Sequence, residues 1–438
     1  MPQKIMLPEA VSACCAALRK AGHAAYPVGG GVRDLLLGRT PGDWDVTTSA
    51  PPEAILSLFP HAALTGGAHG TVTVIIADTA IEVTPFRGES GYSDGRHPDK
   101  VTFGVSLDDD LARRDFTVNA LALDEGGGVI DRFGGLEDLK KGILRCVGEA
   151  DRRFREDSLR ILRALRFAAV YGMVIEGRTA AALHKNRALL GRLPAERVYG
   201  ELTKLLCGAH AEAVLLEYAD VLSVPIPEIS PAVGFDQHNP HHCHDIWGHT
   251  AAVVAAAPPE PALRWAALFH DLGKPAAFTF DGNGIGHFYG HAAKSAELAD
   301  AIMGRLRFDN ATRRQTLFLV AHHDDHLQPT EQSVKRAIQQ FGAHGLGQLL
   351  ALFRADALGH APESARQRLS ICAALETLLH ELSWMGERLT VKDLALSGGD
   401  LAALGLSGAD IGKAQQKLLA HVLDHPEDNT AGALKQLL

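Results

Sequence analysis

The chain has 438 residues, of which 46% are apolar and 22% charged, and it carries a formal net charge of −9. That length exceeds one ordinary hydrophobic core, so several domains are expected, and the balance of apolar and charged residues is that of a soluble globular protein. No apolar run approaches the ~20 residues that would span a bilayer, and the acidic total excludes a surface coated throughout by nucleic acid while leaving room for a local basic patch.

Met1 to Leu18 is interrupted by Pro8 and Glu9, which suits an amphipathic helix better than a secretory signal. The six cysteines include the adjacent Cys14 and Cys15 but no Cys-x-x-Cys pair, so a cytoplasmic protein is expected. From Ala24 to Leu123 short β-branched segments alternate with glycine turns: Val28, then Trp44 to Thr47, Thr71 to Ile76 and Ile81 to Thr84. They predict a small mixed sheet with a few helices. Within this region Gly29-Gly30-Gly31-Val32-Arg33-Asp34 precedes Asp43-Trp44-Asp45. A glycine-rich turn lets backbone amides approach a triphosphate, and Arg33 can neutralise it. Two carboxylates one residue apart on a strand share a face and can bridge a pair of magnesium ions. Glu82, between apolar Ile81 and Val83, is either a third carboxylate of that set or an ordinary solvent-facing strand residue. The segment Arg87 to Lys100 is almost devoid of apolar residues and is expected to be a mobile loop beside the sheet.

Arg113-Arg114-Asp115-Phe116-Thr117-Val118-Asn119 opens an apparent helix, where Arg114 can clamp phosphate, Asp115 can cap the helix or anchor that arginine, and Asn119 can bond a ribose. After Leu136 the pattern turns to long helical periods. A boundary is expected near residue 145, and the proline-bearing segment Val224 to Pro231 marks a second linker. Between Arg132 and Lys204 sixteen Lys and Arg stand against nine Asp and Glu, a stretch that attracts a phosphate-bearing ligand or is simply a solvated helical surface. In the run from Glu156 to Phe167, Ile161, Leu162, Leu165, Ala168 and Ala169 fall on one helical stripe, with Asp157, Arg160, Arg163 and Arg166 on the opposite half. Asp157 and Arg160 are either a carboxylate and guanidinium that read the edge of cytosine or adenine, or an i,i+3 ion pair on a solvated helix.

Half of the 22 histidines fall between His238 and His326. His249 is followed after 21 residues by His270-Asp271, after another 21 by His291, and then by His322, His323 and Asp356. Imidazoles and carboxylates of this kind suit a divalent metal with open positions for water and phosphate.

Taken together, the glycine-arginine turn, Asp43-Trp44-Asp45, Glu82-Val-Thr-Pro-Phe-Arg87, Arg113 to Ala122, Asp131-Arg-Phe-Gly-Gly135, Glu156-Asp-x-x-Arg160 and Glu196-Arg197-x-x-x-Glu201 resemble the bacterial class II CCA-adding tRNA nucleotidyltransferases over residues 24 to 205. The histidine set resembles the HD metal-dependent phosphohydrolases. The resemblance implies an α+β fold: a small mixed-sheet nucleotidyltransferase head over 1–145, a helical neck over 146–230, an HD domain over 231–365 and a helical tail over 366–438. It implies Mg²⁺ on Asp43 and Asp45 with Glu82 assisting, triphosphate on Gly30, Arg33 and Arg114, and a nucleotide pocket completed by Asp115, Asn119, Arg163 and Arg166. By the same resemblance Asp157 and Arg160 select CTP or ATP, and the 88 to 100 loop takes part in switching from C to A. For the HD part it implies His249, His270, Asp271 and Asp356 around a divalent transition metal of the Mn, Ni or Fe class, His291 and His322 as further ligands, and Lys274 meeting a substrate phosphate. The implied partners are tRNA, CTP and ATP, with no membrane; oligomeric state stays open. Three alternatives remain at this point: a poly(A) polymerase, a partial enzyme adding only CC or only A, and an HD phosphohydrolase with a nucleotide-sensing head. The acidic end Asp424 to Asp428 disfavours the first, whose members tend to carry a basic extension.

Overall fold

A computed structural model describes residues 5–66, 70–91, 100–383 and 391–438. Contacts divide the chain into two units, Met1–Pro227 and Glu228–Leu438, so the division falls inside the proline-bearing linker.

In the first unit the strands are β1 Ala25–Val28, β2 Asp45–Thr48, β3 Ala62–Gly66, β4 Thr71–Ile76, β5 Thr79–Pro85, β6 Arg87–Ser90, β7 Lys100–Phe103, β8 Leu121–Leu123, β9 Val129–Asp131, β10 Ile143–Leu144 and β11 Val174–Ile175, the last two paired with each other. Seven of them form one mixed sheet in the order β3-β4-β5-β2-β1-β8-β9. Within that sheet only the central pair β2 and β5 runs parallel, in a register that sets Asp45 opposite Glu82. The strand alternation fixes which face does what. Val46, Val72, Val74, Ile81 and Val83 turn into a core with Val11, Cys14, Cys15 and Leu18 of helix α1 (Glu9–Lys20), which leaves Glu82 exposed on the other face. Burying those side chains contributes ~1.5–3 kcal/mol each, enough to pin the register, because a one-residue slip would put every carboxylate in the core.

The sequence reading needs three corrections here. Asp43 precedes β2, which begins at Asp45. The expected loop after Arg87 starts and ends as an antiparallel ribbon, β6 with β7; residues 92–99 lie outside the described residues. The apparent helix after Arg113 is a single 3₁₀ turn, Thr117–Asn119, because the chain enters β8 two residues later.

The helices that follow α1 in this unit are α2 Gly30–Leu36, α3 Pro52–Leu58, α4 Leu107–Ala112, α5 Gly135–Lys141, α6 Ala150–Glu156, α7 Leu159–Tyr171, α8 Gly177–Asn186 and α9 Ala195–Leu206, with two shorter ones after them. The run read as one helix is two: Asp157 has extended backbone (φ −140°, ψ 104°) and separates α6 from α7. Its side chain accepts from Leu159 N at 3.1 Å, a local bond that competes with helix continuation.

Among its described residues the second unit has helices and one two-stranded ribbon, Thr279–Phe280 with Gly286–His287. Helices Ile246–Ala256, Pro261–Phe269, His291–Arg305, Asn310–His322 and Glu331–Leu358 carry its histidine and aspartate residues or bring them to a helix end. Among the described residues no helix is long and apolar enough to cross a membrane.

Candidate active sites

The head site is built around a turn that only glycine tolerates. Gly29 has φ 74°, and a Cβ there would lie 2.9 Å from Arg114 Nη1 and 3.1 Å from Asp45 Oδ2. A Cβ on Gly31 would meet the Trp44 ring at 2.9 Å. Bare backbone therefore lets Asp45, Arg114 and the Asp43–Asp45 segment close on the start of α2. Gly30 sits between Arg33 Nη2 and Asp43 Oδ1. Burial lifts the Asp45 carboxyl to about 6; Arg114 opposes the shift, and Asp43 and Glu82 add to it. Asp45, with Asp43 and Glu82 near enough to raise it, offers hard carboxylate oxygens of the kind that hold a divalent magnesium ion, beside the Arg114 guanidinium.

Arg114 is held in place by Asp110, a wholly buried carboxylate that the sequence reading missed. Asp110 accepts from Arg113 Nη2 at 2.7 Å, from Thr47 Oγ1 at 3.1 Å and from Arg114 Nη2 at 3.4 Å. Arg33, assigned to triphosphate, is 5% exposed. Its Nε and both Nη nitrogens donate inside the protein, to Asp34 Oδ1 (3.0 and 2.9 Å), to Tyr171 Oη (2.5 Å) and to Asn119 Oδ1 (2.6 Å). Its plane also lies 4.4 Å from the Tyr171 ring centre.

Asn119 is committed too. Its Nδ2 donates to Asp115 Oδ1 at 3.0 Å, so its amide is tied between Arg33 and Asp115. Asp115 does not anchor Arg114: its Oδ2 receives Arg163 Nε and Nη2 at 2.8 and 2.7 Å. Burial alone would raise the Asp115 carboxyl, but Arg163 and Asn119 hold it well below the usual carboxylate range. Arg166 Nε lies 2.6 Å from Glu201 Oε2. A continuous buried network thus joins α2 to α7 and α9.

The side chains of Arg160 and Asp157 turn to different partners. Arg160 is 8% exposed and donates to Glu156 Oε2 at 3.0 Å and to the carbonyls of Arg153 and Arg113, both at 3.2 Å. Asp157 Oδ2 meets Arg197 Nη2 at 3.3 Å. The projection of a single helix put Arg160 at the centre of a solvated face; the break at Asp157 and the carbonyl of Arg113, a segment 47 residues away, bury it instead.

In the second unit five imidazoles follow one rule. Each Nδ1 faces a backbone carbonyl: His249 with Gly359 at 3.0 Å, His270 with Ala267 at 2.8 Å, His291 with Phe288 at 2.9 Å, His323 with Val320 at 2.7 Å and His360 with His241 at 3.2 Å. A neutral ring that gives its Nδ1 proton to a carbonyl presents a lone pair at Nε2, the arrangement that orients metal-binding histidines. These Nε2 atoms converge on two aspartates. His249 Nε2 is 3.0 Å from Asp356 Oδ1 and 3.5 Å from Asp271 Oδ2, and His270 Nε2 is 3.2 Å from Asp271 Oδ2. On the other oxygen, His291 and His323 Nε2 lie 3.3 and 3.7 Å from Asp271 Oδ1. Three sets, His249-Asp356-His360, His249-His270-Asp271 and Asp271-His291-His323, each bring their ligand atoms within 4.8 Å of one another.

Two Nε2···Nε2 approaches, 3.3 Å for His249 with His270 and 3.0 Å for His291 with His323, set lone pair against lone pair unless positive charge lies between them. The two adjoining rings are pushed opposite ways: burial lowers His249, whereas Asp271 and Asp356 raise His270 to about 10 against its burial. The donor set fits divalent metal, and Asp271 belongs to two of the three sets. His322 is not part of it. Its Nδ1 turns to Asp325 Oδ2 at 2.7 Å, and His323 takes the position expected of it. His360 was missed altogether. Lys274 Nζ reaches Asp271 Oδ2 at 2.7 Å and Gln237 Oε1 at 3.0 Å.

Residues 25–145 match the poly A polymerase head domain, 172–232 the probable RNA and SrmB-binding site of polymerase A, and 248–362 the HD domain. The matches thus set a poly A polymerase head model and an HD domain model along one chain. A CCA-adding enzyme of Geobacillus thermodenitrificans is 48% identical over 214 residues, 49% of this chain and 53% of that protein. One of Leuconostoc mesenteroides is 52% identical over 198 residues, 45% of this chain and 49% of its own. The chain therefore spans about half the length of the curated relatives it matches. Among solved structures, the Bacillus stearothermophilus CCA-adding enzyme in complex with CTP superposes over 96% of this chain and 94% of its own, with a TM-score of 0.74 and 29% identity. The Thermotoga maritima CCA-adding enzyme complexed with tRNA_CCA shares the fold at 18% identity and a TM-score of 0.57, over 99% of this chain and 97% of its own.

Proposed function

We propose that this protein adds the 3′-terminal CCA to tRNA from CTP and ATP without a nucleic-acid template, and that its HD domain is a metal-dependent phosphohydrolase. The observation that carries the first reading is the meeting of Asp43, Asp45 and Glu82 with Arg114 at a glycine turn, in a head whose curated relatives are named CCA-adding enzymes. A relative solved with CTP and another with tRNA_CCA support the substrates. Cytoplasmic residence follows from that chemistry.

In this reading Asp43 and Asp45, with Glu82 beside them, would hold Mg²⁺, which would supply activation of a hydroxyl nucleophile and charge neutralisation at a leaving pyrophosphate. Arg114, braced by Asp110, meets the triphosphate. Arg33 acts from inside, fixing α2 and its glycine turn through Asp34, Tyr171 and Asn119. Gly30, having no side chain, leaves its amide open to phosphate. Asp115 and Asn119 position Arg163, which with Arg166 walls the nucleotide. Asp157 and Arg160 discriminate the base when Arg160 exchanges its Glu156 bond for a base edge, so replacing either residue relaxes C-over-A selection more than it slows transfer. Competition between labelled CTP and ATP in Asp157→Ala tests this; unchanged selection at reduced rate contradicts it.

The carboxylate set is tested by Asp43→Ala, which should abolish incorporation while leaving metal binding at the HD centre intact. In that centre His249, His270, Asp271 and Asp356 would hold one divalent ion, and Asp271, His291 and His323 a second, and such ions would supply an activated water. Lys274 stands by Asp271 to meet a phosphate oxygen.

A further inference from the structure

The HD centre lies where two hollows meet. One, of about 390 Å³, is walled by Leu327, Phe353, Ile371 and Leu375; the other, of about 260 Å³, is bordered by Lys274, His287 and Tyr289. Both reach His323, Asp324, Asp356 and Arg368, so two of the candidate ligands, His323 and Asp356, line both hollows, while Asp271, His291 and His360 line the smaller alone. The larger is of a size ordinary for a small-molecule site, ~300–1,000 Å³, and its apolar wall suits a flat heterocycle. The smaller is edged by an aromatic shelf: the rings of His287 and Tyr289 lie 5.2 Å apart and 8° from parallel. Tyr289 is 78% exposed, so one ring face is backed by imidazole while the side chain stays open to solvent. One cation stands at each carboxylate, Lys274 Nζ 2.7 Å from Asp271 Oδ2 and Arg368 Nη1 3.2 Å from Asp356 Oδ2.

We propose that this centre takes a phosphodiester with a nucleoside on each side, a dinucleotide or the end of an RNA strand, in preference to a phosphomonoester. The proposal rests on the reading of the centre as a metal-dependent phosphohydrolase and adds the substrate class. A monoester has one organic group and fills one hollow; a diester fills both, one base against Ile371 and Leu375 and the other stacked on Tyr289, with Lys274 and Arg368 flanking the phosphate between them. Base stacking on an aromatic ring is tolerant of sequence, so the preference is for the two-sided shape and not for a particular base. In the reaction a water oxygen bonds to phosphorus, and the bond from phosphorus to one nucleoside oxygen breaks with its electron pair. The water proton goes to that oxygen, giving a nucleoside and a nucleotide with no change of oxidation state.

The test uses the full chain loaded in turn with Mn²⁺ and Ni²⁺, metal content being measured separately. Adenylyl-adenosine is compared with 3′-AMP, 5′-AMP and p-nitrophenyl phosphate. The expected result is a kcat/KM for the dinucleotide at least tenfold above every monoester. Tyr289→Ala should cut the ratio of diester to monoester kcat/KM by ~5-fold or more, chiefly through KM, and Tyr289→Phe should restore it. Ile371→Trp, which fills the larger hollow from an exposed position, should cut the same ratio. Monoesters turned over as fast as the dinucleotide, or Tyr289→Ala slowing both equally, overturns the proposal. No turnover of the dinucleotide with metal bound overturns it while leaving a metal centre, and a chain that retains no metal removes the underlying reading as well.

Discussion

Asp115→Asn isolates the buried network of the head. The amide keeps the size of the carboxylate and can still accept from Phe116 N, which now donates at 2.8 Å, but it takes the counter-charge from Arg163. That guanidinium is left with Glu201 at 4.0 Å. A hydrogen bond to a charged group is worth ~1.5–3 kcal/mol, and because the Arg163 side chain is 32% exposed, screening puts the loss near the middle, ~2 kcal/mol. For a unit of this size 1 kcal/mol moves Tm by ~2–4 °C, so the head should melt ~4–8 °C lower. Trp44 is the only tryptophan before Pro227, and its fluorotryptophan resonance reports that transition apart from the second unit. The pH dependence has a definite sign. Asp115 is depressed in the folded state, so its contribution is complete above the unfolded value of ~3.9 and is lost as pH falls toward the folded value. The gap between wild type and variant should be constant near neutrality and shrink below about pH 4. Asn119 would also lose its charged acceptor and Arg33 its support, so nucleotide incorporation should slow by on the order of tenfold, in line with the sensitivity of transfer to misplacement. A variant whose Tm and incorporation rate both match wild type refutes the network as a positioning device.

Asp45→Asn should abolish incorporation, falling at least ~10³-fold if the metal is lost, yet raise head stability by ~1–2 kcal/mol near pH 7, because it removes a carboxylate held up to about 6 by burial among Asp43 and Glu82; urea titration reads the gain. Gly29→Ala places a methyl 2.9 Å from Arg114 Nη1 at φ 74° and should lower stability by ~1–2 kcal/mol, with a loss of incorporation larger than that of Gly38→Ala, whose φ is 69° but whose Cβ meets nothing. His323→Ala should reduce bound metal from two equivalents to one, whereas His322→Ala leaves two; equal stoichiometry in both variants contradicts the assignment of the second ion.

Local periodicity carried part of this structure and distance hid the rest. Glu82 was legible because Ile81 and Val83 alternate with it, and the sheet then brings it to Asp45 through a parallel register. The partner of Asp115 was not legible, since Arg163 lies 48 residues away and nothing local distinguishes it from Arg114. Arg160 looked solvated on a helical projection, which cannot anticipate that carbonyls from Arg113 and Arg153 will cover it. His323 was readable in principle. It stands three and four residues after the buried Val320 and Leu319 and seven after the buried Thr316, on the inward stripe of its helix, whereas His322 is off that stripe. His360, four residues after Asp356, lies just past Leu358, where the helical segment that follows the kink at Gly342 ends, and helical periodicity no longer predicts direction there.

The central claim is ordered, template-free addition. Purified protein with Mg²⁺ and labelled CTP and ATP should be offered three tRNA transcripts, ending before CCA, after C and after CC. The account predicts addition of C, C and A to the first, C and A to the second and A to the third, with no further growth. Continued A addition would make the protein a poly(A) polymerase, addition of only C or only A would make it a partial enzyme, and no incorporation on any transcript would contradict the head as a nucleotidyltransferase.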